Sequence, residues 1–246
     1  MQPQCESLAI DVSALAPRGK LKRGKEAVAC NLCTDTIQAD MFNWNLHPAS
    51  KIFENCPVCE SRPRYRTLDV IFAKKVVPSL VNPKDQLSAL VMSGTAWEQS
   101  ILKKTFINIV NSCLYGDYGE GRIHADLRDL KPFDDQTFDY VHASGVLDFI
   151  LEIDKVLTSV YRVLKPNGQF LFHILSHRLR DDDSPPTVEG TKRETYYPEG
   201  VVLPSIMYGK KDILRRMNQH RFSSEMVEMI DPFSGEHCTW FWGQKI

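Results

Sequence analysis

Four cysteines in two close pairs carry the most specific chemistry in this chain. Cys30 and Cys33 lie in "CNLC" and Cys56 and Cys59 in "CPVC", with 22 residues between the pairs. A two-residue gap lets both thiolates of a tight turn converge on one ion, and two such turns complete a tetrahedral sulfur site for Zn²⁺. Buried, reduced thiols would not account for the pairing. The stretch between the pairs has no helical period and several turn residues, which suits the short strands of a zinc ribbon. It holds too few apolar residues for a core of its own, so the metal would supply much of its folding energy. His47 could replace a cysteine ligand, but four thiolates already suffice and it reads as a surface or packing residue. A closed four-sulfur site leaves no open coordination position, so its role is structural. Cys5, Cys113 and Cys238 read as small apolar residues.

A second set of candidates sits further on. "VMSGTAWEQ" ends an apolar run at Gly94 and places Trp97 where a ligand-binding turn would be kept small. His173 and His177 fall at and just beyond the end of the strand-like "QFLFHIL", whereas His124 and His142 sit inside strand patterns and read as structural. Arg62, Arg64 and Arg66 cluster at the start of a helical pattern, where positive charge opposes the helix dipole unless an anion compensates. Two readings stay open for them: contact with a substrate phosphate or carboxylate, or a salt-bridged joint.

The totals bound the function. The 246 residues carry a formal charge of −1, so no global field gathers nucleic acid or anionic membrane. The basic run 18–25, "RGKLKRGK", reads as a solvated arm. "SLAIDVSALA" is interrupted by Asp11 and follows no charged start, and no run approaches the roughly 18 apolar residues of a membrane helix. A soluble cytoplasmic protein is expected.

These candidates need a scaffold. From residue 86 onward strand-like runs ("LSALVM", "FINIVN", "RIHADL", "FDYVHAS", "QFLFHIL") alternate with helical or turn segments, which implies a parallel sheet covered on both faces. In "LEIDKVLTSVYRVLK", Ile153, Val156, Leu157, Val160, Val163 and Leu164 recur at helical spacing, and "KPNG" ends the run. "KKDILRRMNQH" reads as a helix, and "SSEMVEMI" and "CTWFWGQ" as a terminal hairpin. The expected organisation is an arm over 1–26, a zinc ribbon over 27–64 and an α/β domain over 65–246, with a helix over 65–77 as the joint. Residues 176–200 read as a lid loop. Its Asp181–Asp183 run reads as solvated.

"FDDQTFDYVHASGVLDFI" followed by "VYRVLKPNG" resembles the signature of class I S-adenosylmethionine-dependent methyltransferases, written LPF-x-D-x-SFD-hhh-x-x-x-VLEH and then RVLKPGG. The "CPVC-x-S-R-x-R-x-R" ribbon in front resembles a bacterial subgroup of such enzymes. The resemblance spans about residues 27–245. It implies a doubly wound, mostly parallel seven-stranded Rossmann-like sheet with a C-terminal antiparallel hairpin, a structural Zn²⁺ and S-adenosylmethionine as cofactor. It puts Ser93, Gly94 and Glu98 around the methionine half, Glu98 toward its ammonium group, with Trp97 stacking on the ligand or filling its place. Asn111 or Ser112 stands where an acidic residue would grip the ribose hydroxyls, and neutral groups make weaker bonds there. Asp126 matches the adenine-amine position, with a turn-capping role as the alternative. The resemblance also puts Ser144, which opens "SGVLDF", among the cofactor-binding residues.

The pattern departs from the subgroup where Gly145, Asp148 and Phe149 replace histidine, glutamate and histidine, and where Pro204 and Ile206 replace a polar pair in "PSIMYG". The usual general bases are thus missing. His173, His177 and Tyr208 are the catalytic candidates, with Tyr196 and Tyr197 lining the pocket. His173 also reads as a core imidazole and the tyrosines as packing residues. Three functions follow. The first is methyl transfer to a small-molecule or sugar-like acceptor, for which placing the partners together can suffice when the acceptor is already nucleophilic. The second is a methyltransferase-like module that has dropped methyl transfer and binds a protein partner or uses the pocket otherwise. The third, an RNA-modifying enzyme, rests on the basic runs alone, and the overall charge speaks against it.

Overall fold

The computed structural model describes residues 28–33, 36–37, 55–56, 59–114, 122–192, 202–231 and 236–246. The 1–26 arm, His47, Tyr196 and Tyr197 lie outside the described residues. The chain divides into two compact units. The larger includes Ser79–Val227 and Thr239–Ile246, and the smaller comprises Leu8–Pro78 with Glu228–Cys238.

In the smaller unit, β1 (Val28–Ala29) and β2 (Thr36–Ile37) pair antiparallel on either side of the first cysteine turn. Helix α1 (Pro63–Ile71) follows the second pair and continues as a wider turn over Phe72–Val76. Pro63 opens α1, where a missing N–H costs nothing because the first helical amides have no internal partner. Placed by sequence at the start of the α/β domain, α1 falls in the compact unit of the cysteines.

The larger unit is built on a seven-stranded sheet: β3 (Ser88–Met92), β4 (Asn108–Cys113), β5 (Arg122–His124), β6 (Phe138–Ser144), β7 (Leu164–Ile174), β11 (Phe222–Ile230) and β12 (His237–Lys245). Its order is β11-β12-β7-β6-β3-β4-β5, with β3 to β7 parallel and β12 antiparallel to β7. All of β6 is buried, as a central strand covered on both faces must be. Helix α2 (Ala96–Leu102) follows β3, and α4 (Lys210–Gln219) precedes the terminal hairpin. Helix α3 (Ile153–Val163) buries Ile153, Val156, Leu157, Val160 and Val163 in the main core, the stripe its spacing predicts.

The described part of the expected lid is more regular than a loop. β8 (Leu179–Arg180) and β9 (Thr187–Lys192) flank β10 (Leu203–Gly209) in a second, three-stranded sheet. Pro185, Pro186 and Gly190 look like turn residues, and β9 has an exposed surface with no apolar alternation to betray it. A β-carbon on Gly209 would stand 2.6 Å from the Ser184 carbonyl oxygen, so only glycine lets that loop pack against the end of β10.

The aspartate of the "FDYV" signature has a physical task here. The buried Asp139 carboxylate accepts the Ser88 N–H (2.8 Å) and hydroxyl (3.0 Å), the Asn82 amide and the Lys165 ammonium (2.8 Å). It thereby ties the start of β3 to the start of β7. Burial opposes its ionisation, yet these donors hold the carboxyl below the usual carboxylate range. A folded value below the unfolded one makes this stability complete above about pH 4 and lost as pH falls through the folded value. Asp139→Asn should therefore lower the urea midpoint at pH 7, and its gap from wild type should close as pH falls from about 5 toward 2. A gap independent of pH would contradict this role.

Candidate functional site

The smaller unit holds the cysteine cluster. The Sγ atoms of Cys30, Cys33, Cys56 and Cys59 all lie within 4.8 Å of one another, with Cys30–Cys59 at 3.8 Å and Cys33–Cys56 at 3.9 Å. Four sulfurs about 2.3 Å from a tetrahedral centre stand about 3.8 Å apart, and a disulfide would need about 2.05 Å. None of the four is in a disulfide, and geometry and donor softness both suit Zn²⁺. The second turn is closed by the Glu60 N–H on the Cys56 carbonyl (2.7 Å) and the Cys56 N–H on the Ser61 carbonyl (3.0 Å). Glu60 takes a left-handed φ of 57° to allow it.

Behind the sulfurs lies a buried polar chain. Ser61 Oγ is 3.2 Å from Cys59 Sγ and 3.6 Å from Cys30 Sγ. Arg66 Nη1 donates to the Ser61 carbonyl and hydroxyl, while its Nε and Nη2 grip Asp231 at 2.8 and 2.7 Å. Arg66 is 1% exposed and Asp231 0%. Burial opposes the charge of Arg66, but Asp231 and the nearby Cys30 and Cys56 keep its pKa above the ordinary arginine value. Arg66 is salt-bridged to Asp231 within the smaller unit, so its guanidinium is engaged there and not exposed to a ligand. Arg64 reaches the Tyr65 hydroxyl at 2.9 Å, and Arg62 is exposed at the helix cap. A buried Arg66 is also lost to any RNA-binding face.

In the larger unit the remaining candidates gather at the carboxyl ends of the parallel strands, where open α/β sheets bind ligands. Ser93 follows β3 in the left-handed region (φ 53°), and its N–H donates to the Ser112 carbonyl at 2.6 Å. Gly94 is buried, and a β-carbon on it would lie 2.2 Å from Val91 Cγ1. The Asn111 side chain clasps its peptide groups, accepting the Gly94 N–H (3.2 Å) and donating to the Gly94 carbonyl (3.3 Å). Arg122 donates to the same carbonyl at 3.2 Å. Ser112 turns its hydroxyl to Met92 Sδ at 2.8 Å and is fully buried.

Glu98, expected to face an ammonium group, is 2% exposed and serves the helix. Its Oε2 accepts the Thr95 N–H (2.7 Å) and hydroxyl (2.9 Å) while the Thr95 hydroxyl accepts the Glu98 N–H, a capping box at the start of α2. Its Oε1 lies 3.4 Å from His142 Nε2, and His142 Nδ1 lies 3.1 Å from the Tyr140 hydroxyl. Burial, with the Glu98 charge, pushes the Tyr140 hydroxyl far up. Trp97 is half-buried on the first turn of α2.

Asp126 is engaged by its neighbour: Arg128 donates from Nε (3.0 Å), Nη2 (2.6 Å) and the backbone (2.9 Å). Burial opposes the Asp126 charge, and the Arg128 contacts hold the carboxyl below its ordinary range. Ser144 ends β6 beside His173 in the ladder, is 8% exposed, and its Oγ has no hydrogen-bond partner among the described residues. His173 is 2% exposed and packs 5.0 Å from the Trp240 ring, whereas His177 is exposed. Tyr208, expected among the catalytic groups, is fully buried, and its hydroxyl is held by the carbonyls of Leu147 (2.9 Å) and Ile150. That gives it a positioning task on the turn after β6. Burial, with Asp148 nearby, pushes its pKa well up.

The structure thus brings Ser93, Gly94 and Ser112 together and sets Ser144 beside His173. Residues that sequence reasoning passed over are Arg122 and Arg178, the latter buried 4.0 Å from Asp148, the residue at the motif's glutamate position. Nothing local marks them, because their partners lie on other strands and turns.

Residues 103–172 match a family model described as a methyltransferase domain. A sterol 4-C-methyltransferase of Caenorhabditis elegans is 46% identical over 44 residues, and a demethylmenaquinone methyltransferase of Clavibacter sepedonicus 36% identical over 84 residues. These matches cover 18% and 34% of this chain and span 13% and 34% of those relatives. The structure of Burkholderia thailandensis 1,6-didemethyltoxoflavin-N1-methyltransferase, with bound 1,6-didemethyltoxoflavin and S-adenosylhomocysteine, is similar at a TM-score of 0.52 and 13% identity. That similarity covers 74% of this chain and 77% of that one. The seven-stranded sheet with its antiparallel end is the class I methyltransferase fold.

The loop geometry makes a direct prediction. Gly94→Ala should destabilise the protein by about 1–3 kcal/mol in denaturant melts, the cost of forcing a methyl group into a packed site. A neutral substitution would show that the loop has room to spare.

Proposed function

We propose that the larger unit binds S-adenosylmethionine along the carboxyl ends of β3, β4 and β6 and methylates a small-molecule acceptor. In the same reading the smaller unit is a zinc ribbon, with Zn²⁺ on Cys30, Cys33, Cys56 and Cys59. What supports it most is the gathering of Ser93, Gly94, Ser112 and Ser144 at one edge of a methyltransferase sheet. When bound, the cofactor supplies an electrophilic methyl group on a sulfonium. The chain's own part is placement. Ser93 and Gly94 offer backbone at close range, Asp126 accepts the adenine amine in competition with Arg128, and Ser144 offers a hydroxyl with no hydrogen-bond partner among the described residues. His173 and His177 are the proton-handling groups of this proposal. The relatives' names point to organic acceptors, a sterol and a demethylmenaquinone among them.

A specific observation favours the second reading, a methyltransferase-like module without methyl transfer. The Gly94 peptide groups are already satisfied by Asn111 and Arg122, and the Glu98 carboxylate is committed to its capping box. One experiment separates the two. Calorimetric titration with S-adenosylmethionine and S-adenosylhomocysteine should give heat, and ligand at 100 times Kd should stabilise the native state by about 2.7 kcal/mol. No heat and no melting shift at millimolar ligand would leave only the second reading.

A further inference from the structure

The arginine that follows the second cysteine pair faces two ways. Asp231 alone would suffice to clip α1 to the hairpin segment, yet Arg66 turns its third nitrogen away from that carboxylate to Ser61, whose hydroxyl touches two of the four sulfurs. All three groups, Ser61, Arg66 and Asp231, are at most 1% exposed. Four thiolates around a divalent ion carry two net negative charges, and buried charge is costly unless opposite charge and hydrogen bonds compensate it. Groups that hydrogen-bond behind metal ligands tune affinity by orienting the ligands and offsetting their charge.

We propose that Arg66 is a positioning residue of the metal centre: held by Asp231, its guanidinium supplies positive charge behind the thiolates and carries metal occupancy to the segment Glu228–Cys238. The proposal rests on the reading of the cysteine cluster as a Zn²⁺ site. It assigns the buried arginine of the "S-R-x-R-x-R" motif a task that a mere clip would not need. Coupling runs both ways: when the ion leaves, the thiolates take up protons and the net negative charge that draws Arg66 toward Ser61 is neutralised, and loss of Arg66 weakens metal binding.

The test uses the full chain as wild type, Arg66→Met, Asp231→Asn and the double variant. The double variant removes both buried charges together, which keeps a foldable comparison because an unpartnered buried charge is the costly state. Zn²⁺ affinity is read by competition with a chromophoric chelator, thiolate ligation by the charge-transfer band of the Co²⁺-substituted protein, and hairpin order by amide exchange over 228–238. Arg66→Met and the double variant should bind Zn²⁺ roughly 10–100-fold more weakly, while Asp231→Asn, which keeps the guanidinium, should stay near wild type. Chelation should speed exchange over 228–238 in wild type and make no difference in the double variant. Equal loss in all three variants, or full affinity in Arg66→Met, would overturn the proposal. A wild type that takes up no Zn²⁺ would remove the cluster reading itself, an outcome distinguishable from the others.

Discussion

The room left for the backbone at Gly94 governs the ligand edge of this protein. With Val91 packed beneath it, the chain can leave β3 only through a residue with no side chain, after a left-handed Ser93. That sharp exit lets Thr95 start α2 at once, and it presents the Gly94 peptide to β4, where Asn111 receives it. The capping carboxylate of Glu98 then leads inward to His142 and Tyr140 on β6, so three elements are tied at one point. A loop so tied is preorganised, which spares a ligand the ordering entropy of a mobile one.

That same order explains why methyl transfer and its loss are both plausible outcomes of one architecture. A neutral amide at position 111 can hydrogen-bond a hydroxyl group, but it does so by giving up its grip on Gly94, and without charge assistance its bonds are weaker. A ligand bound here would exchange one set of hydrogen bonds for another. Affinity then turns on the difference between the two sets, which is far smaller than either.

The central sheet was legible from the chain because strands buried on both faces read as apolar runs, as in β3 and the Phe170–Phe172 part of β7, while β6 is apolar apart from Asp139, His142 and Ser144. Helix α3 was legible from the spacing of its core residues, and the cysteine cluster from its two short gaps. Glu98 carried its own local signal: "TAWE" is a capping-box pattern, which favours the helical task seen here over an exposed one. Strand β9 stayed hidden because its exposed residues show no apolar alternation, and only its pairing with β10 in the folded chain marks it as a strand. The Arg66 and Asp231 pair spans 165 positions, beyond any local pattern, and only the folded chain shows it.

The enzymatic role depends on whether a nucleoside can enter beside Gly94. Crystals of the full chain grown with S-adenosylhomocysteine should show ligand density between Gly94 and Asp126, with the Asn111 amide turned from the Gly94 peptide toward the ribose. Crystals at saturating ligand with that clasp intact and no density beside it would contradict the enzymatic assignment.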